Sequence, residues 1–311
     1  MVVRCHLCKL YYKFVTKLII NQISISAINC INSRGADFLF KVGLKMKKIT
    51  IIGGDNRLMT VKKMLEDKGY LVDSLGLFQD DIANLNTSKV VVLPVPTTKD
   101  GENIYTPLTN KKIPLSFVYE NTDRKQLILC CNYLFEKRNC IDYNSLDSYA
   151  LLNAVPTAEG AIKIAIENTP FTLWGARVLV IGYGRVGKIL SNRLKALGCD
   201  LTVSARKDAD FALLQALGIP YMHTSEIGTK PLDYQIVFNT VDHPVIPDCA
   251  FENSSCSLLI DLSSKGGFNL STAKEFGITA IKAPGLPGII APKTAGEILG
   301  KVITELILRS D

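Results

Sequence analysis

Along most of the chain, short β-branched apolar runs alternate with stretches whose apolar residues recur every three or four positions, the pattern of parallel α/β architecture. Strands are predicted at Ile49–Ile52, Leu71–Leu75, Lys89–Val95, Gln126–Asn132 and Asn139–Asp142; consecutive apolar residues in each point to burial on both faces. Gly53-Gly54 follows the first as a turn, then a helix to Lys68 closed by Gly69. A helix is expected over Thr157–Asn168. There Pro156 stops extended chain, Thr157 can cap, and Glu159 lies in the first turn, where the helix dipole favours an anion. From Ala176 the alternation restarts, with strands at Arg177–Ile181, Leu201–Ala205, Gln235–Asn239, Leu258–Asp261 and Ile278–Ile281. A last helix carries the capping-box pattern Thr294-Ala295-Gly296-Glu297. Its apolar face, Ile298, Leu299, Val302, Ile303, Leu306 and Ile307, must bury, and is expected to cross back onto the first domain.

The chain has 311 residues, room for two such domains, and a net charge of +7. That charge is unevenly spread. Residues 1–45 hold seven Lys or Arg against Asp37 alone, leaving 29 basic and 28 acidic residues in the rest. A near-neutral body argues against a nucleic-acid footprint, which would need a basic face. The first 45 residues have no lasting period. They fail as a signal peptide, because Lys17, Asn21 and Gln22 break the apolar core and no small-x-small cleavage site follows. No stretch approaches the roughly 18 apolar residues of a membrane span. Met46-Lys47-Lys48 runs directly into the first strand, so Met46 is expected to be the true start and residues 1–45 a mis-assigned or disordered extension. The nine cysteines follow no framework spacing, and free core thiols of a reducing cytoplasm are expected. Cys5-His6-Leu7-Cys8 lacks the second ligand pair that a zinc site needs, so no metal is expected.

The chemistry concentrates in Gly182-Tyr183-Gly184-Arg185-Val186-Gly187, which follows a strand, opens a helix ending at Gly198, and is succeeded by another strand. In that context the first glycine permits the tight turn, the second lets backbone approach a pyrophosphate, and the third packs helix on strand. The N–H groups at the helix start, including those of Arg185 and Val186, then hold the phosphates. A nicotinamide dinucleotide site is the reading. Sites for NAD carry an acid at the end of the next strand; here stand Ser204, Arg206 and Lys207, with no acid before Asp208. Arg206 could clamp a 2′-phosphate with Ser204 and Lys207 assisting, which favours NADP over NAD, although a merely solvated Arg-Lys pair stays open. Asn239 and Thr240, ending a further strand, complete the expected cofactor set. The fold expected is α/β, two Rossmann-like doubly wound parallel-sheet domains around a cleft. A substrate domain spans 46–155, an interdomain helix 156–170, a dinucleotide-binding domain 171–288, and a returning C-terminal segment 289–311.

Several loops should face that cleft. Gly53-Gly54-Asp55-Asn56-Arg57 lacks a third glycine, and Asp55 would repel a pyrophosphate, so it is placed as a substrate loop; Arg57 could meet a carboxylate or pair with Asp55. Thr97 and Thr98 end another strand. Ser263, Ser264 and Lys265 supply hydroxyls and a cation, and Gly285-Leu286 leads through Pro292-Lys293 to Thr294. For Thr294 and Glu297, simple capping is the better account. No nucleophilic triad assembles. His6 lies in the extension, His223 in an expected loop, and His243, after Asn239-Thr240, is either an acid–base residue or an ordinary loop histidine.

Gly53-Gly54-Asp55-x-Arg57, Val155-Pro156-Thr157-Ala158-Glu159-Gly160, Asp261-Leu262-Ser263-Ser264, and above all the run Ala283-Pro284-Gly285-Leu286-Pro287-Gly288-Ile289-Ile290-Ala291-Pro292-Lys293-Thr294-Ala295-Gly296 resemble the A subunit of dipicolinate synthase from spore-forming bacteria. The resemblance runs from Met46 to the C-terminus, with Leu58 departing from it where a polar residue is expected. It implies NADP-dependent dehydrogenation of the cyclic imine dicarboxylate made by dihydrodipicolinate synthase. It also implies a partner, the flavoprotein-like B subunit, and a place in the cytoplasm of the mother cell during sporulation. A homo-oligomer is expected. On this reading Lys265 or Lys293 grips a carboxylate, with Thr157 and Glu159 nearby and Pro156 among the substrate-binding residues. The alternatives are another two-domain dehydrogenase of the 2-hydroxyacid or alanine kind, which in the former case would want a catalytic His, or a non-catalytic NADP-binding regulatory subunit.

Overall fold

In the computed structural model, residues 47–229 and 231–310 are described; the extension, its Cys5-x-x-Cys8 pair and the expected start at Met46 lie outside them. Two wholly parallel sheets carry the chain. The first has the order β2-β1-β3-β4-β5, from β1 (Lys48–Ile52), β2 (Leu71–Leu75), β3 (Val90–Val92), β4 (Leu127–Cys130) and β5 (Asn139–Asp142). The second consists of β6 (Arg177–Ile181), β7 (Asp200–Ala205), β8 (Tyr221–His223), β9 (Ile236–Asn239), β10 (Leu258–Asp261) and β11 (Thr279–Lys282), in the order β11-β10-β9-β6-β7-β8. Both orders reverse direction once, between β1 and β3 and between β6 and β9. Open α/β sheets bind ligands at the carboxyl ends of strands flanking such a switch point.

The central strands are apolar on both faces because helices cover both. Ile49, Ile51, Val90 and Val92 pack on one side of the first sheet, Ile52, Val91 and Ile128 on the other. In the second sheet Val178 and Val180 face one core, Leu179 and Ile181 the other. The helices are α1 (Asn56–Asp67), α2 (Leu115–Glu120), α3 (Asp147–Glu167), α4 (Arg185–Ala196), α5 (Asp208–Ala216), α6 (Leu270–Glu275), α7 (Leu286–Ile290) and α8 (Pro292–Arg309). The last of them returns to the first sheet as expected: Leu299, Val302, Ile303, Leu306 and Ile307 join Leu58, Val61 and Leu65 of α1 in one core. Gly296 and Gly300 let the two backbones close, since a Cβ on Gly296 would stand 2.7 Å from the Arg57 carbonyl oxygen and one on Gly300 2.7 Å from Met64 Sδ. Leu58 is core, which accounts for an apolar residue at that position.

Three local expectations are corrected. The crossover helix α3 does not begin at Thr157; it starts at Asp147 and runs through Pro156. A proline interrupts the helical hydrogen bonding at its own turn, but buried Tyr149, Ala154, Pro156 and Ala158 hold both halves against neighbours, so packing outweighs the breaker. Likewise α8 starts at Pro292 rather than behind a Thr294 cap, and no side-chain cap forms. His223 is no loop residue: it ends the short edge strand β8, and its ring accepts from the Ser225 amide at 3.2 Å.

Candidate active site

The strand β6 delivers the chain to Gly182, whose φ of +93° belongs to the left-handed region that suits glycine. A Cβ on Gly187 would stand 2.1 Å from the Gly182 carbonyl oxygen, so the helix start packs directly on the turn. Gly184 is the opposite case, because a Cβ there meets nothing within 4 Å. It marks an open side from which a phosphate can reach the backbone. No side chain caps α4 at Gly184, and the amides of Arg185, Val186 and Gly187 start the helix with their dipole end positive. Thr240 braces the loop from β9, its Oγ1 donating to the Ile181 carbonyl at 2.9 Å. The loop therefore fits a dinucleotide pyrophosphate.

At the end of β7, Ser204 is fully buried, its hydroxyl 3.4 Å from the Gly182 amide and 3.2 Å from Thr224 Oγ1. It supports the glycine loop from behind, which corrects its assignment to a 2′-phosphate. Arg206 and Lys207 are exposed and make no ion pair among the described residues. The nearest acids, Asp208 and Asp210, belong to the first turn of α5, and Asp210 is taken by Lys188 at 3.1 Å.

The carboxyl ends of β9 and β10 form a polar network that is visible in the sequence only in pieces. Asn239 Nδ2 donates to Asp261 Oδ1 at 2.8 Å and to the Val241 carbonyl at 2.9 Å. Asp261 also accepts the Ser263 hydroxyl at 2.6 Å and the Gly267 amide at 3.2 Å. Next to it Asp242, which no motif singled out, accepts the Ser264 amide and hydroxyl at 2.6 and 2.9 Å and the Lys265 amide at 3.3 Å. Burial pushes the Asp242 carboxyl up, but the Ser264 and Lys265 contacts outweigh it and hold the group below its usual range. Ser263 and Ser264 thus shape this loop with their hydroxyls, while the Lys265 side chain is exposed. His243 is exposed beside Asp242.

On the first sheet, Arg57 resolves the open choice toward Asp55. Its Nε lies 3.0 Å from Asp55 Oδ1 and its Nη2 2.7 Å from Oδ2, and Nη2 also donates to the Val95 carbonyl at 2.5 Å. Burial lowers the guanidinium pKa, and the Asp55 hydrogen bonds and charge raise it further than that, for a net upward shift. The Gly54 amide donates to the Tyr105 carbonyl at 2.8 Å, so that amide is already used within the chain. Thr97 is fully buried and accepts the Cys131 amide at 2.9 Å, and Thr98 bonds Asp100 at 3.0 Å; both hold their loop together rather than face a ligand. Tyr149, which the sequence pattern did not mark, is fully buried on α3. Its hydroxyl and Asn153 Oδ1 one turn on have no hydrogen-bond partner among the described residues.

The mid-helical position of Thr157 removes it as an anion-binding helix start. Its hydroxyl donates back to the Asn153 carbonyl at 2.9 Å, and Pro156 is buried beside it. Glu159 pairs with Arg193 of α4 at 3.2 Å on an exposed face, which corrects its placement beside a substrate. Arg185 reaches Asp147 at 3.5 Å, bringing the glycine loop to the start of α3. Gly285 is left-handed (φ +71°) ahead of α7, and Leu286 is buried. From there Gly288 packs on the Asp55–Arg57 pair, and Lys293 and Thr294 stand exposed in the first turn of α8. Among the described residues no cluster of His, Cys, Asp or Glu could hold a metal, and no helix is long and apolar enough to cross a membrane.

Comparison with known proteins agrees with this arrangement. The family model for the N-terminal domain of the dipicolinate synthase A subunit matches residues 48–151. The A subunit of dipicolinate synthase from Bacillus subtilis (strain 168) is 32% identical over 242 residues, covering 71% of this chain and 82% of that protein. The crystal structure of the dipicolinate synthase A subunit from Bacillus halodurans superposes with a TM-score of 0.77 at 31% identity, over 84% of this chain and 97% of the other. A Salmonella D-lactate dehydrogenase, 12% identical with a TM-score of 0.57 over 85% of this chain and 96% of its own, shares the fold. Two parallel sheets of dehydrogenase type, an open glycine loop and relatives this similar along most of their length place the chain in the family of dipicolinate synthase A subunits.

Proposed function

We propose that this chain is the catalytic A subunit that dehydrogenates 4-hydroxy-tetrahydrodipicolinate, the cyclic imine dicarboxylate made by dihydrodipicolinate synthase, to dipicolinate with NADP. Family membership supports the reaction. The observation that carries the cofactor is the pair of exposed cations Arg206 and Lys207, without an ion pair among the described residues, beside an open Gly184, where an NAD site would carry an acid. Bound NADP would take up the hydride, and loss of water, that hydride and a proton leaves an aromatic ring. The amides of Arg185, Val186 and Gly187 would hold the pyrophosphate, and Arg206 with Lys207 the 2′-phosphate.

The substrate carries two carboxylates. Arg57 is committed to Asp55 and contributes only at a distance. Lys265, in the loop after β10, and Lys293, in the uncapped first turn of α8, are exposed and make no ion pair among the described residues. These two are the carboxylate ligands of the proposal, with the helix dipole adding to Lys293. His243, exposed past β9, is its candidate proton-transfer group. A flavoprotein-like B subunit completes the enzyme, and the setting is the cytoplasm of the mother cell of a sporulating bacterium.

The test is the absorbance change at 340 nm with the imine substrate, using NADP and NAD, with and without the B subunit. Reduction of NADP in preference to NAD is expected, and Lys293→Met should raise KM for the imine. NADP binding with no turnover even when B is supplied would give the chain a regulatory role instead, which overturns the proposal.

A further inference from the structure

Free core thiols are expected of the cysteines, and two of them lie in contact with each other. On the neighbouring parallel strands β4 and β5, Ile128 stands opposite Cys140 and Cys130 opposite Asp142. Side chains two apart on a strand share a face, so Cys130 and Cys140 point into the same layer. Their sulfurs lie 2.9 Å apart. A disulfide bond is about 2.05 Å long, so the two atoms need to close by less than about 1 Å. Cys131, the next residue, faces the other core with Leu129 and is excluded from the pairing by the alternation of the strand.

The two thiols differ in the way a redox pair requires. Cys130 is fully buried, its sulfur 2.6 Å from the Tyr133 carbonyl oxygen; Cys140 sits on the edge strand and is partly exposed. The hydrogen bond from Cys130 brings the Cys140 thiol down to about 7, against burial, while the same bond and burial push Cys130 up. A partly exposed thiolate can attack from outside, and a buried partner in contact can resolve.

We propose that Cys130 and Cys140 form a redox-active dithiol that accepts a small-molecule disulfide as its oxidant. The Cys140 thiolate attacks one sulfur of the disulfide, a mixed disulfide forms, and the first small thiol leaves. Cys130 sulfur then attacks Cys140 sulfur, the bond to the small molecule breaks, and the second thiol departs with the remaining proton. Two protein thiols are oxidised, and one small disulfide is reduced to two thiols. The product clamps β5 to β4 just before α3, since β5 passes through the turn Tyr143–Ser145 to the start of that helix at Asp147.

The experiment treats the full chain with oxidised glutathione, then maps peptides by mass spectrometry after alkylation without reduction. A Cys130–Cys140 cross-link is expected, about 2 Da lighter than the two thiol peptides and reversed by dithiothreitol. The Cys131→Ser variant should give the same cross-link, and Cys130→Ser should stop with glutathione retained on Cys140. The rate of thiol loss should rise with pH about a midpoint near 7. Both thiols remaining free, a link through Cys131, or glutathione stably retained on Cys140 of the unsubstituted chain would each overturn the assignment. Mapping the unsubstituted protein decides the matter even where Cys130→Ser folds poorly.

Discussion

The β-carbon that Gly288 lacks would stand 3.0 Å from Arg57 Cζ and 3.1 Å from Asp55 Oδ2. The segment leaving the second sheet thus seats its backbone on an ion pair built at the carboxyl end of β1. The same segment is clasped from the other side, because a Cβ on Gly160 of α3 would meet Leu286 Cβ and Ile290 Cγ1 at 3.1 Å. The two crossovers between the sheets are therefore in contact with each other and with the first sheet, and small residues make that possible. Gly288→Ala should force the guanidinium to move and destabilise the fold by about 1–3 kcal/mol, the usual cost of overpacking. A thermal scan that leaves Tm unchanged would show that the pair yields freely.

The Arg57 side chain is 7% exposed and that of Asp55 22%. Arg57→Met leaves a half-enclosed carboxylate without its partner, and about 3 kcal/mol of stability should be lost, the lower end for breaking a buried pair. In a double-mutant cycle, adding Asp55→Asn to Arg57→Met should cost less than the sum of the single changes. Additive losses measured by urea unfolding would contradict a direct pair.

Gly184 and Gly187 should respond in opposite ways to the same substitution. Gly184 has ordinary backbone angles (φ −77°) and open space around it. Gly184→Val should leave Tm unchanged while abolishing NADP binding, measured by quenching of intrinsic fluorescence or calorimetry. Gly187→Val sets a side chain against the Gly182 carbonyl and should yield little folded protein.

Arg206→Gln tests cofactor choice. Loss of a charge-assisted contact to the 2′-phosphate, about 1.5–3 kcal/mol, should raise KM for NADP about tenfold to hundredfold and leave NAD unaffected. Equal effects on both cofactors would remove Arg206 from the 2′ position.

The loop joining Asp242 to Ser264 and Lys265 should be acid-sensitive. The folded-state pKa of Asp242 is depressed, so its contribution is complete above the unfolded value of about 3.9 and is lost as pH falls from there through the folded value. The group is largely exposed, so the effect is about 1 kcal/mol or less. The Tm difference between the unsubstituted chain and Asp242→Asn should be present at pH 6 and shrink below about pH 4; a constant difference would show that the aspartate acts by shape alone.

The strands and the glycine loop are legible in the sequence because they are local. A strand buried on both faces must be apolar throughout, and Gly187 answers to the Gly182 carbonyl five residues before it. The short edge strand β8, with Tyr221 and His223 exposed, carries no such pattern and reads as loop. Pro156 misleads for a related reason. Its helix-breaking tendency is a local cost of about 3 kcal/mol, and the burial that outweighs it comes from residues distant in the chain. Thr294 and Glu297 match a capping box by spacing alone, yet the chain enters α8 two residues earlier, at Pro292.

By itself the sequence determined the α/β class, the returning C-terminal helix, the open glycine loop and the family motifs, all of which follow from periodicity and from residues close together. Only the tertiary structure decided which polar side chains are free for a ligand. Ser204, Thr97, Thr157, Glu159 and Arg57 all read as site residues, and each is bound to a partner that the fold supplies. Hydrogen-bonding capacity is a property of the residue, but whether it is already used depends on neighbours that folding alone brings within 3 Å or so.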